Sequence, residues 1–67
     1  MKIKLNDMIY NNVKEGTTLA SFIDKLGFKP QGIAIAINYE VIPKSKWEET
    51  ILSDNLELML IHAISGG

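Results

Sequence analysis

The chain has 67 residues, 46% of them hydrophobic, with a net charge of −1 and no cysteine. This length makes one small domain that buries only about 60% of its unfolded surface, with no disulfide or thiolate metal site to brace it. All seven basic residues are lysines (Lys2, Lys4, Lys14, Lys25, Lys29, Lys44 and Lys46), which leaves no guanidinium fork or basic stripe to grip nucleic acid or a phosphate.

From the N-terminus, Met1-Lys2-Ile3-Lys4-Leu5 alternates charged with apolar residues. That is the pattern of a strand with one buried face, where a signal peptide would need an unbroken apolar segment. Asn6-Asp7 supplies a turn, Met8-Ile9-Tyr10 leads into Val13 as the return strand, and Glu15-Gly16 closes the hairpin. Leu19, Phe22, Ile23 and Leu26 then fall at i, i+3, i+4 and i+7. This spacing predicts one short amphipathic helix, with Thr18 as N-cap and Gly27 as a left-handed residue just past its end.

After Pro30-Gln31-Gly32, the segment Ile33-Ala34-Ile35-Ala36-Ile37 predicts a strand whose isoleucines face the helix and whose alanines leave a low, smooth outer face. Asn38-Tyr39-Glu40 turns the chain into a short strand, Val41-Ile42, ended by Pro43. Ser45-Lys46-Trp47-Glu48 has the spacing of a capping box and predicts one helical turn carrying Trp47. Past a turn at Ser53-Asp54-Asn55, Leu56, Leu58 and Leu60 form the inward face of a last strand, with Glu57, Met59 and Ile61 outward.

Two strands, a helix, then two or three strands with the last apolar enough to be central describe an α+β fold of the β-grasp type. A mixed four- to five-stranded sheet carries one main helix on one face, and the right-handed crossover sets the final strand parallel to the first. A ferredoxin-like split βαβ fold would need a second full-length helix, and only the turn near Ser45 is available. The expected organisation is a β-grasp domain over residues 1–62 and a flexible tail over 63–67. No stretch reaches membrane-spanning length, so a cytoplasmic protein with no membrane or nucleic-acid partner is expected.

A search for catalytic machinery returns absences. His62 is the only histidine, so no imidazole pair exists for a metal, and no catalytic or metal-binding residue is assigned. Glu48 and Glu49 are adjacent and read as a solvated edge. The glycines at 16, 27, 32, 66 and 67 match neither a dinucleotide fingerprint nor a phosphate loop. What stands out is Gly66-Gly67, directly after an apolar strand. Without Cβ atoms such a terminus is thin and unhindered around its last carbonyl carbon, suited to threading a narrow channel in another protein. The chain reads as a carrier or substrate, and any nucleotide it needs would be bound by a partner.

The run Val41-Ile42-Pro43-Lys44-Ser45-Lys46-Trp47 after Asn38 and Glu40, together with Gly16-Thr17-Thr18-Leu19, Leu26-Gly27 and Gly66-Gly67, resembles the thiamin-biosynthesis sulfur carrier family (ThiS) essentially from end to end. Tyr39 stands where that family usually has glycine, and Asp54-Asn55 replaces a Gly-Asp turn. The resemblance implies a ubiquitin-like β-grasp protein. It also implies that a ThiF-like adenylating enzyme uses ATP to activate the Gly67 carboxylate, and that a persulfide donor converts it to a thiocarboxylate. A thiazole synthase would then take the sulfur. The chain itself would bind no cofactor. Relatives of the same chemistry serve molybdopterin synthesis or tRNA thiolation, and a ubiquitin-like protein modifier or a plain interaction domain would also fit the pattern.

Recognition is expected from Met59 and Ile61, projecting beside the small face of Ala34 and Ala36, with His62, Ile64 and Ser65 leading to the Gly66-Gly67 end. A methionine in such a patch adapts to more than one partner. The competing expectation is that the chain's own loops, with Trp47 among them, cover this face.

Overall fold

A computed structural model describes residues 1–62. Five strands and one helix follow the order β1 (Ile3–Leu5), β2 (Met8–Tyr10), α1 (Leu19–Lys25), β3 (Ile33–Ile37), β4 (Glu40–Ile42) and β5 (Leu56–His62). They form one mixed sheet in the order β2-β1-β5-β3-β4. β5 is central, parallel to β1 and antiparallel to β3. This is the β-grasp arrangement expected from the sequence.

Helix α1 has the ends the sequence specifies. Thr18 sits in extended conformation and its hydroxyl accepts from the Ser21 amide at 3.2 Å. At the other end Gly27 takes φ +84°, while the Gly27 and Phe28 amides donate to the carbonyls of Asp24 and Ile23. That pair of bonds is a Schellman motif, which requires a left-handed residue at Gly27. Leu19, Phe22 and Ile23 are buried against the sheet. They join Ile3, Leu5, Ile33, Ile35, Leu52, Leu58 and Leu60 in one core.

Three sequence expectations are corrected. Val13 lies outside β2 and is tied to the N-terminus instead, with Met1 and Val13 exchanging bonds of 2.7 and 3.3 Å. The capping box at Ser45 does not form: a 3₁₀ turn spans Lys44–Lys46 with Pro43 before it and no side-chain cap. Proline with φ −59° already presets entry to the turn and has no N–H needing a partner. Trp47 does follow that turn, but it is buried in the core beneath α1, its Nε1 donating to the Ile42 carbonyl at 2.9 Å. It therefore covers none of the opposite face.

Candidate functional site

Strand alternation gives the sheet two unlike faces. In β5, Leu58 and Leu60 are buried under the helix while Met59 and Ile61 are 38% and 42% exposed on the other side. The register places Ala34 opposite Ile61 and Ala36 opposite Met59. The four outer-face residues expected from the sequence are thus brought together. One detail differs: Ala36 is itself buried, because its short side chain lies between the larger Met59 and Val41 that pair with it on either side. The surface there is made by its neighbours, with Ala36 as the floor.

His62 is exposed, as expected; it closes β5 and pairs with Ile33. Ile64, Ser65, Gly66 and Gly67, and the expected tail over 63–67, lie outside the described residues.

The structure adds residues that the sequence reading did not place. The Asn38-Tyr39 turn contains only two residues between the paired Ile37 and Glu40, which puts Val41 beside Ala36 on the outer face, 57% exposed. Counting that two-residue turn would have revealed it. On the β1 side, Lys4 and Glu57 are in register and form an exposed ion pair at 3.4 Å. Beside the ion pair lies a depression of about 110 Å³, lined by Lys4, Glu57 and Met59 together with Ala36, Asn38 and Tyr39.

Asn6 was read only as a turn residue and does more. It adopts φ +52°, and its backbone amide donates to the Leu58 carbonyl at 3.0 Å. Its side-chain amide then receives the Leu60 N–H at 2.9 Å and donates to the Leu60 carbonyl at 3.4 Å. Leu60 lies beyond the reach of β1, which stops at Leu5. One side chain thus stands in for a missing strand residue and satisfies the backbone of Leu60 on that side of β5.

The fold and this face define a small ubiquitin-like β-grasp domain that offers an apolar sheet surface, with no group of three or more metal-ligating side chains among its described residues. The ThiS family model matches residues 3–67, and the chain belongs to the ThiS family. It is 30% identical to the sulfur carrier protein ThiS of Escherichia coli over 67 residues, covering all of both chains. It is also 33% identical to a segment of a thiazole synthase of Magnetococcus marinus, matching all of this chain and 20% of that one. Among solved structures, the crystal structure of the thiamine biosynthesis protein ThiS from Geobacter metallireducens superposes with a TM-score of 0.85 at 16% identity, covering all of both chains. An NMR structure of a thiamine biosynthesis protein from the same organism gives 0.76 at 14% identity, covering all of this chain and 88% of that one.

Proposed function

We infer that the chain is a sulfur carrier of thiamin biosynthesis that acts as a substrate of other enzymes and is not itself a catalyst. The observation that carries this reading is the end-to-end similarity to the E. coli sulfur carrier, in a chain whose sequence ends in Gly66-Gly67. The M. marinus thiazole synthase, with a fifth of its length matched by this chain, supports a thiazole synthase as the sulfur acceptor.

The chemistry follows from what a carboxylate needs. A carboxylate is a poor electrophile, so a ThiF-like adenylating enzyme joins the Gly67 carboxylate oxygen to the α-phosphorus of ATP and releases pyrophosphate. The terminal sulfur of a persulfide then attacks the acyl carbon, and AMP leaves with the C–O bond electrons. Reductive cleavage of the resulting S–S bond by a thiol, which is oxidised to a disulfide, leaves the thiocarboxylate. The synthase draws its sulfur from there. In this scheme the folded domain supplies recognition. Its open strip of Met59, Ile61, Ala34 and Val41 lies on and beside the strand that leads toward Gly67.

Incubation with an adenylating partner, ATP and a persulfide donor should raise the intact mass by the difference between one sulfur and one oxygen. Deleting Gly67 should abolish that shift with no change in the unfolding transition, since a single terminal glycine has no side chain to bury. Sulfur loading that survives the deletion refutes the proposal.

A further inference from the structure

Away from the outer strip, a cleft of about 530 Å³ opens between the end of β2 and helix α1. Its shape begins with an irregular pairing. Ile3 is opposite Tyr10, while Met1 exchanges two backbone bonds with Val13, so one residue on the β1 side, Lys2, faces two, Asn11 and Asn12. That count is a β-bulge, and the extra residue shifts the alternation beyond it by one. Tyr10 and Val13, three positions apart, therefore share the helix side of the sheet, where both pack against the core. The Tyr10 ring meets Phe22 edge to face at 5.5 Å. Phe22 is buried, Tyr10, Val13 and Leu26 are half-buried, and all four line the cleft.

Charge, size and position narrow what fills it. Lys14 and Lys25 also line the cleft, no carboxylate does, and neither lysine forms an ion pair among the described residues. The depression on the outer face differs, with Glu57 set against Lys4. A chain of net charge −1 thus leaves two unmatched cations beside an apolar cleft, which favours an anionic occupant. The volume is that of roughly eighteen waters at about 30 Å³ each, more than one side chain fills. No polar side chain is buried among the described residues, so the oriented polar groups of a small-molecule pocket are missing there. β2 itself has three residues, a short ladder to join, which leaves side chains to carry the contact. The lining comes mainly from two stretches, residues 9–14 and 22–26, and one segment lying between them meets both.

We propose that this cleft docks a short acidic segment of a partner protein, its aliphatic side chains seated against Tyr10, Val13, Phe22 and Leu26 and its carboxylates beside Lys14 and Lys25. Met59, Ile61, Ala34 and Val41 lie outside the cleft, so a partner held here leaves the outer strip open to an enzyme. Such docking requires nothing of the sulfur-carrier chemistry.

The probe is a short synthetic peptide with an aliphatic centre of leucine and valine and two glutamates at each end, titrated into the isotope-labelled full chain. Amide resonances of residues 9–14 and 22–26 should shift, and those of β5 should stay in place. Exchanging both lysines for acids, Lys14→Glu with Lys25→Glu, should weaken binding roughly tenfold or more. Tm should stay nearly unchanged, because both side chains are exposed and neither is ion-paired among the described residues. A peptide with the same centre and lysines at its ends should bind that double variant and not the wild type. Serines in place of the aliphatic centre should abolish binding to the wild type. No shift in this region, shifts confined to the outer strip, or equal binding of the acidic and basic peptides overturns the proposal. The acidic-against-basic comparison uses the wild-type chain alone and so does not depend on how the variant folds. Equal shifts from free glutamate would assign the cleft to a small anion and overturn the proposal as well.

Discussion

Replacing Leu58 with alanine tests the central claim about which face of β5 is inside. Leu58 has no exposed surface, and its strand is bonded on both sides, with Leu5 and Ile37 as its in-register neighbours. Removing a buried leucine side chain costs about 2–5 kcal/mol, with larger values where surrounding structure cannot collapse into the void. Here both flanking strands are fixed by their ladders, which argues for the upper part of that range, about 3–5 kcal/mol. A 67-residue domain has a total stability of roughly 3–10 kcal/mol at about 0.05–0.15 kcal/mol per residue. The variant should therefore lose from about a third to all of its stability. Urea unfolding followed by fluorescence of Trp47, the single tryptophan and a buried one, measures the change directly. Leu56→Ala is the control, because Leu56 is only half-buried at the start of the strand and should lose less. A loss below about 1 kcal/mol for Leu58→Ala with an unchanged m-value would refute the assignment, since it would mean no cavity had formed.

If the proposed adenylating enzyme docks on this face, Ile61→Asp and Met59→Glu should each leave Tm nearly unchanged while weakening its binding by about 2 kcal/mol or more, because the charge is then desolvated in the complex. Calorimetric binding that matches wild type in both variants would remove this strip from the interface. Asn6→Ala should cost about 1–3 kcal/mol, since it strips the Leu60 N–H and carbonyl of their partners and puts alanine at positive φ. Urea titration of that variant showing no loss would mean that water replaces the amide without penalty.

What the sequence could show was whatever depends on period and local chemistry. The i, i+3, i+4, i+7 spacing of Leu19, Phe22, Ile23 and Leu26 and the alternation in Ile33–Ile37 and Leu56–His62 set which side chains meet, and the helix and both long strands form there. Thr18 and Gly27 act through atoms within a few residues of themselves, so their roles were legible too. Ser45 shows the limit of local signals. Its spacing to Glu48 fits a capping box, yet Pro43 two residues earlier starts the turn first. The roles of Asn6 and Val41 depend on partners far along the chain: Asn6 bonds Leu60 across 54 positions, and Val41 joins the outer face only because of the register across β3. The Gly66-Gly67 signal came from sequence alone and lies outside the described residues.

The division of labour between the two faces bears on how a carrier of this size can bind without aggregating. Ile9, Val41, Met59 and Ile61 are exposed apolar residues on the outer face, and the buried core lies on the other side of the sheet. Substitutions at these exposed positions, unlike one at the buried Ala36, are thus free to follow partners without loss of fold. Such a surface invites self-association, and the sheet limits it in two ways. The edge strands β2 and β4 have only three residues each, too short to template a neighbouring chain well, and the Lys4–Glu57 pair sets charge between Ile9 and Met59. A carrier that must leave one enzyme for the next also needs fast release, and affinity among related complexes is tuned mainly through the dissociation rate. A small strip with one adaptable methionine fits that requirement better than a broad apolar face, because a limited contact is easier to break.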